Sequence, residues 1–116
     1  LRHQGSSFVE RFDANSILYI TRAMDYFDLT KQFKGGLTEA FKNQQTKFLV
    51  ISFSSDWLYT TRENKDIVIA LNASGADVSY SEIVTDKGHD SFLVNEPEFL
   101  KTLKGFVDSM YEKFRR

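Results

Sequence analysis

Apolar positions recur at helical spacing near the start of the chain and again at its end, with two strand-like runs between them. Ile17, Ile20, Met24 and Phe27 keep a helical period behind Asp13-Ala14-Asn15-Ser16, whose side-chain oxygens suit a helix start. A helix to about Phe27 is therefore predicted. Gly35-Gly36 then breaks the pattern, and Leu37 to Phe41 predicts a short second helix ending near Gln45. Phe48-Leu49-Val50-Ile51-Ser52-Phe53 does not alternate in polarity, which is the pattern of a strand covered on both faces of a parallel sheet. Residues Thr61 to Ser74 place Ile67, Ala70 and Leu71 on one helical face, with Gly75 as the stop, although the β-branched Ile67-Val68-Ile69 weighs against a helix. Strand spacing runs from Val78 to Val84 and closes at Asp86-Lys87-Gly88-His89. Finally, Asn95 is placed to cap a helix with Pro97 in its first turn. Its apolar stripe comprises Phe99, Leu100, Leu103, Phe106, Val107, Met110, Tyr111 and Phe114, and Lys113, Arg115 and Arg116 stand at the negative end of its dipole.

The order strand, helix, strand, helix predicts α/β architecture with parallel strands. Two parallel strands are too few for a sheet covered on both faces. The remaining strands are expected from elsewhere, and so is exposed core surface on this piece, with a tendency to aggregate or dimerise. The opening Leu1-Arg2-His3-Gln4-Gly5, without Met, fits the same expectation of a piece of something larger.

Composition narrows the function classes. At 116 residues the chain suits one domain. Its 41% apolar and 27% charged residues are those of a globular protein. With 15 Lys+Arg against 16 Asp+Glu, the net charge of −1 offers no field for nucleic acid or an anionic membrane. The absence of Cys removes disulfides, thiolate nucleophiles and Cys-type metal centres, and is compatible with the cytosol. Neither a bilayer-length apolar stretch nor a signal-peptide pattern is visible in the sequence. A cytoplasmic protein without nucleic-acid or membrane partners is the expectation.

Reactive groups of open α/β sheets gather just past the carboxyl ends of strands. Here the first strand leads to Asp56 in Ser54-Ser55-Asp56-Trp57-Leu58, and the second to His89 in Gly88-His89-Asp90-Ser91-Phe92. If the strands are neighbours, an Asp accepting from one imidazole nitrogen leaves the other free as a general base. This is the acid-then-histidine order of the α/β-hydrolase triad. Loop Asp–His pairs are more often structural than catalytic, and no Gly-x-Ser-x-Gly is present to supply a nucleophile. Spacing alone supports half a catalytic apparatus. His3, Asp86, His89 and Asp90 lack metal-site spacing, and Gly35-Gly36 lacks the Lys and Ser/Thr of a phosphate loop. Core packing is expected to absorb most of Phe8, Phe12, Tyr19, Tyr26, Phe27 and Phe33, although an arm seeking a partner has the same composition. Trp57 is expected to shield the acid's loop.

Three motifs carry a resemblance. Arg11-Phe12-Asp13-Ala14-Asn15-Ser16 with Tyr19-Ile20-Thr21-Arg22-Ala23-Met24-Asp25-Tyr26-Phe27-Asp28 resembles the lid helix of the homoserine O-acetyltransferases. Ser54-Ser55-Asp56-Trp57-Leu58-Tyr59 is similar to that family's acid loop, and Gly88-His89-Asp90-Ser91-Phe92-Leu93 to its histidine loop. They stand in family order, and the likeness covers essentially the whole chain, as the last third of such a protein. The resemblance implies an α/β-hydrolase fold, with residues 1–34 the end of a helical lid and 35–116 the end of the core, and a homodimer joined through the lid. It implies acyl transfer from acetyl-CoA, a co-substrate with no further cofactor, to the hydroxyl of L-homoserine on the way to methionine. Asp56 and His89 would be catalytic, Asp90 would hold the substrate ammonium group, no metal is implied, and the nucleophilic Ser would lie outside this chain. Thr60 departs from the Pro often found in the family. This chain alone is expected to be inactive. The alternatives are a non-catalytic interaction remnant, a related esterase that passes the acyl group to water, and a homoserine O-succinyltransferase, since donor contacts lie elsewhere.

Overall fold

The computed structural model describes residues 2–115. Four helices come first: α1 (Arg2–Arg11), α2 (Ala14–Tyr26), α3 (Leu29–Gln32) and α4 (Gly36–Ala40). Strand β1 (Lys47–Phe53), helix α5 (Thr61–Ala73), strand β2 (Asp77–Ile83), a 3-10 turn over His89–Leu93 and helix α6 (Pro97–Phe114) follow. The strands pair in parallel from Lys47 with Asp77 to Phe53 with Ile83, so their carboxyl ends finish level. The architecture is mixed helix and strand with a parallel pair, as the order of elements predicts.

Local chemistry accounts for the element ends. Asp13 caps α2 by accepting from the Ser16 amide at 2.9 Å. At α5, Thr60 and Glu63 form a reciprocal capping box. The far end of α5 closes in a Schellman arrangement: the Gly75 amide donates to Asn72 O and the Ala76 amide to Leu71 O, each at 3.0 Å, with Gly75 at φ 82°. These caps, together with burial of Ala70 and Leu71, outweigh the β-branched run that disfavours the helix. Removing the cap hydroxyl in Thr60→Ala is expected to cost about 1 kcal/mol, read as a lower urea midpoint with an unchanged slope.

Several expectations are corrected. Residues 2–11 and 29–32 are helical, which apolar spacing did not reveal, and α4 ends at Ala40 before Gln45 is reached. Glu96, not Asn95, occupies the N-cap of α6, because the residue directly before Pro97 is held in extended backbone, while its carboxylate goes to Lys87 and Thr85. Within β1 only Ser52 and Phe53 are buried, so the strand is not covered on both faces. The α6 stripe also divides: Phe99, Phe106 and Met110 are half-buried, while Leu100, Leu103, Val107 and Tyr111 are exposed. Arg115 is the C-cap of α6; the side chain of Phe114 and all of Arg116 lie outside the described residues.

The aromatic start departs most. Phe8, Phe12, Tyr19, Tyr26, Phe27 and Phe33 are all exposed, and α2 buries no residue. They are not core in this chain. The accessible surface is 9489 Å², against about 6,500 Å² for a compact monomer of this mass. The radius of gyration is 17.9 Å, against about 13 Å for a compact domain of this length. The buried apolar core, Phe53, Ala70, Leu71 and Ile83, sits where α5 packs on both strands.

Candidate active site

Both loops leave the carboxyl end of the strand pair and are tied to each other immediately. The Ser54 amide extends the ladder by donating to Ile83 O at 3.0 Å. The Ser54 hydroxyl then accepts from the Thr85 amide and donates to Thr85 O, both at 3.0 Å. One residue on, Ser55 Oγ accepts from the Gly88 amide at 2.9 Å. Parallel pairing therefore continues as side-chain bonding into the loops.

The next rung brings together two of the candidate residues. His89 Nδ1 lies 2.8 Å from Asp56 Oδ2. The other carboxylate oxygen, Oδ1, accepts from the Leu58 amide at 2.8 Å and the Tyr59 amide at 3.0 Å. With two backbone donors on one oxygen and the imidazole on the other, the carboxylate is ordered by its own loop. Asp56 is buried, at 8% exposure. Burial pushes its carboxyl up, but the His89, Tyr59 and Leu58 hydrogen bonds together hold it below the usual carboxylate range. A depressed folded value means that the pair stabilises the fold above about pH 4, and that this contribution is lost as pH falls through the folded value.

His89 presents a different face. Its side chain is 33% exposed, so the acid is covered while the base meets solvent. Tyr59 packs on the imidazole with ring centroids 5.1 Å apart, and Phe92 meets it edge-on at 5.7 Å. Nδ1 is committed to Asp56, which leaves Nε2 as the nitrogen able to exchange a proton. A partner hydroxyl placed at Nε2 would find a base whose tautomer is already set.

Asp90 follows in the 3-10 turn and is exposed. It lies beside the base in sequence and takes no part in the Asp56–His89 bond. Trp57 is 92% exposed and does not shield the acid; the loop's own amides and His89 do so instead. Among the described residues, no group of three His, Cys, Asp or Glu side chains is disposed to hold a metal ion, and no helix is long and apolar enough to cross a membrane.

Sequence reasoning missed the residues that align the loops. Ser91 is fully buried, and its hydroxyl donates to Gly88 O at 2.6 Å. Gly88 adopts φ 71°, ψ −154°, a backbone state that L side chains rarely take. Lys87 Nζ reaches Glu96 Oε2 at 2.8 Å, and Thr85 Oγ1 reaches the same oxygen at 3.1 Å. The available signals were Ser-Ser directly after an apolar strand and Gly directly before His.

No protein-family model matches the chain. Among curated proteins it is 65% identical over 113 residues to the homoserine O-acetyltransferase of Pelagibacter ubique, covering 97% of this chain and 30% of that protein. It is 58% identical over 114 residues to that of Rhodospirillum rubrum, covering 98% of this chain and 29% of the relative. For a Rhodopseudomonas palustris relative of the same name the figures are 62% over 109 residues, 94% and 27%. The chain thus spans about 30% of the length of the relatives it matches. On that similarity it belongs to the homoserine O-acetyltransferase family, as the counterpart of the C-terminal portion of its members.

Proposed function

We propose that this chain is the acid- and base-bearing part of an α/β-hydrolase-fold acyltransferase, in which residues 1–34 end a helical lid and 35–116 end the core. The observation that carries this reading is the 2.8 Å bond between Asp56 and His89 at the level ends of two parallel strands. The nucleophilic Ser belongs to a segment outside these residues, since no Gly-x-Ser-x-Gly occurs among them.

In the proposed reaction, His89 Nε2 removes the Ser proton as the hydroxyl attacks the thioester of acetyl-CoA. Collapse of the tetrahedral adduct breaks the C–S bond, and the imidazolium returns the proton to the leaving thiolate. His89 then deprotonates the L-homoserine hydroxyl, which attacks the acyl-Ser ester; the Ser oxygen leaves and recovers its proton from His89. Asp56 orients the ring and stabilises its cationic form. Asp90, an exposed carboxylate one residue from the base, pairs with the substrate ammonium group. The step lies toward methionine, in a cytoplasmic homodimer joined through the exposed aromatic helices.

The test is homoserine-dependent release of CoA from acetyl-CoA. The 116-residue chain alone is expected to release none. Supplying the nucleophile-bearing segment, fused or in trans, is expected to restore release, and His89→Ala in the same assembly to abolish it. Silence after the segment is supplied, with both pieces folded, would favour the second reading. In that reading the exposed aromatic arm of α1 and α2 makes the chain an interaction module with an unused site. Release of acetate without homoserine would mark an esterase, and preference for succinyl-CoA a succinyl-transferring relative.

A further inference from the structure

Ser55 and Asp56 are adjacent in one loop, Gly88 and His89 in the other, and they meet as two parallel rungs. Ser55 Oγ holds the Gly88 amide at 2.9 Å, and Asp56 Oδ2 holds His89 Nδ1 at 2.8 Å. The carbonyl of Gly88 is held from the opposite side by the buried Ser91 hydroxyl at 2.6 Å and, at 3.3 Å, by the Ser91 amide. Both polar groups of this one residue are thus fixed by serines from different segments. The residue they fix directly precedes the base. It also sits at φ 71°, ψ −154°, a conformation that surrounding bonds must hold in place. A Cβ built at Gly88 would meet open space, so the constraint at this position is backbone direction and not crowding.

We infer that Ser55 and Ser91 are positioning residues for His89: by clamping the Gly88 amide and carbonyl, they aim the imidazole so that Nδ1 meets Asp56 and Nε2 faces outward. The inference rests on the reading of His89 as general base for its kinetic consequence, but not for its structural one. Without the Ser55 hydroxyl, the Gly88 amide loses its acceptor and the peptide is free to turn. The Asp56–His89 bond then survives in only part of the population.

Two measurements test this. In the chain itself, an imidazole Nδ1–H bonded to a carboxylate gives a far-downfield proton resonance, assigned here by its loss in His89→Gln. Ser55→Ala is expected to broaden or remove that resonance while far-UV circular dichroism stays unchanged, and Ser55→Thr, which keeps the hydroxyl, is expected to retain it. In the assembly with the nucleophile segment, Ser55→Ala is expected to lower kcat roughly ten- to hundredfold, with KM for homoserine within about twofold. An unaltered resonance in Ser55→Ala, or equal loss in Ser55→Thr, would overturn the proposal. So would loss of the far-UV signal in Ser55→Ala, which would assign the hydroxyl to the fold instead. If His89→Ala keeps full acyl transfer, the acyltransferase reading fails, and the resonance still decides the positioning role.

Discussion

Asp56→Asn, in the assembly that carries the nucleophile, is expected to lower kcat about 10,000-fold with little change in KM. The size of the effect follows from how the two carboxylate oxygens are used. Oδ1 already accepts from the Leu58 and Tyr59 amides. An Asn in this position must keep its carbonyl oxygen there, because turning the side chain over would press its NH₂ against two donors. The NH₂ therefore faces His89 Nδ1, which must then become an acceptor. The ring proton moves to Nε2, and the nitrogen that should receive the nucleophile's proton arrives already protonated. The base is present but in the wrong tautomer. Steady-state rates with acetyl-CoA and homoserine check this; a fall of less than about tenfold would remove Asp56 from the proposed catalytic pair.

Leu71→Ala is expected to cost about 2–5 kcal/mol, enough to abolish cooperative unfolding of the isolated chain. Leu71 is 1% exposed and Ile83 is fully buried, and they belong to a core of very few side chains. Leu71 O also accepts from the Ala76 amide and from the Ser74 hydroxyl, so loosening it disturbs the helix end that leads into β2. Stability left after the entropy of ordering is small even in complete domains. This chain, with its wide exposed surface, has less buried area to offset that entropy. Urea titration followed by far-UV circular dichroism is the measurement, with Val107→Ala as the comparison. Val107 is 54% exposed, and its truncation is expected to leave the midpoint nearly unchanged. Equal effects of the two substitutions would show that α5 does not hold the core.

The contrast between these two sites shows what the sequence carries. Strand β1, helix α5, strand β2 and helix α6 were legible because period and punctuation mark them: Gly75 stops α5, and Pro97 opens α6. The pairing of Asp56 with His89 was legible as a consequence of parallel neighbours ending together. Helix α1 was not legible, because its Phe8 and Val9 are too few to set a period among polar residues. The Glu96 cap was obscured because its carboxylate goes to Lys87 and Thr85 and bonds no amide of the helix it starts, so it lacks the side-chain signature of a cap. Serine reads as loop filler, so the bonds of Ser54 and Ser55 across 31 and 33 residues of sequence, and the local bond of Ser91 to Gly88, could not be inferred from spacing. The exposed aromatics failed for a different reason: period reports which face is apolar, not whether this polypeptide itself covers it.

Glu96 joins two parts that otherwise have separate duties. Its single oxygen Oε2 holds Lys87 and Thr85, two and four residues before His89, while its backbone opens α6. Helix α6 is thus tied at its first turn to the histidine loop, while one flank, Leu100, Leu103 and Val107, is exposed. A surface packed on that flank would bear on the same helix whose N-cap residue holds Lys87 and Thr85. On the proposed reading, the aim of the imidazole would then depend on packing along a helix that holds neither member of the Asp56–His89 pair.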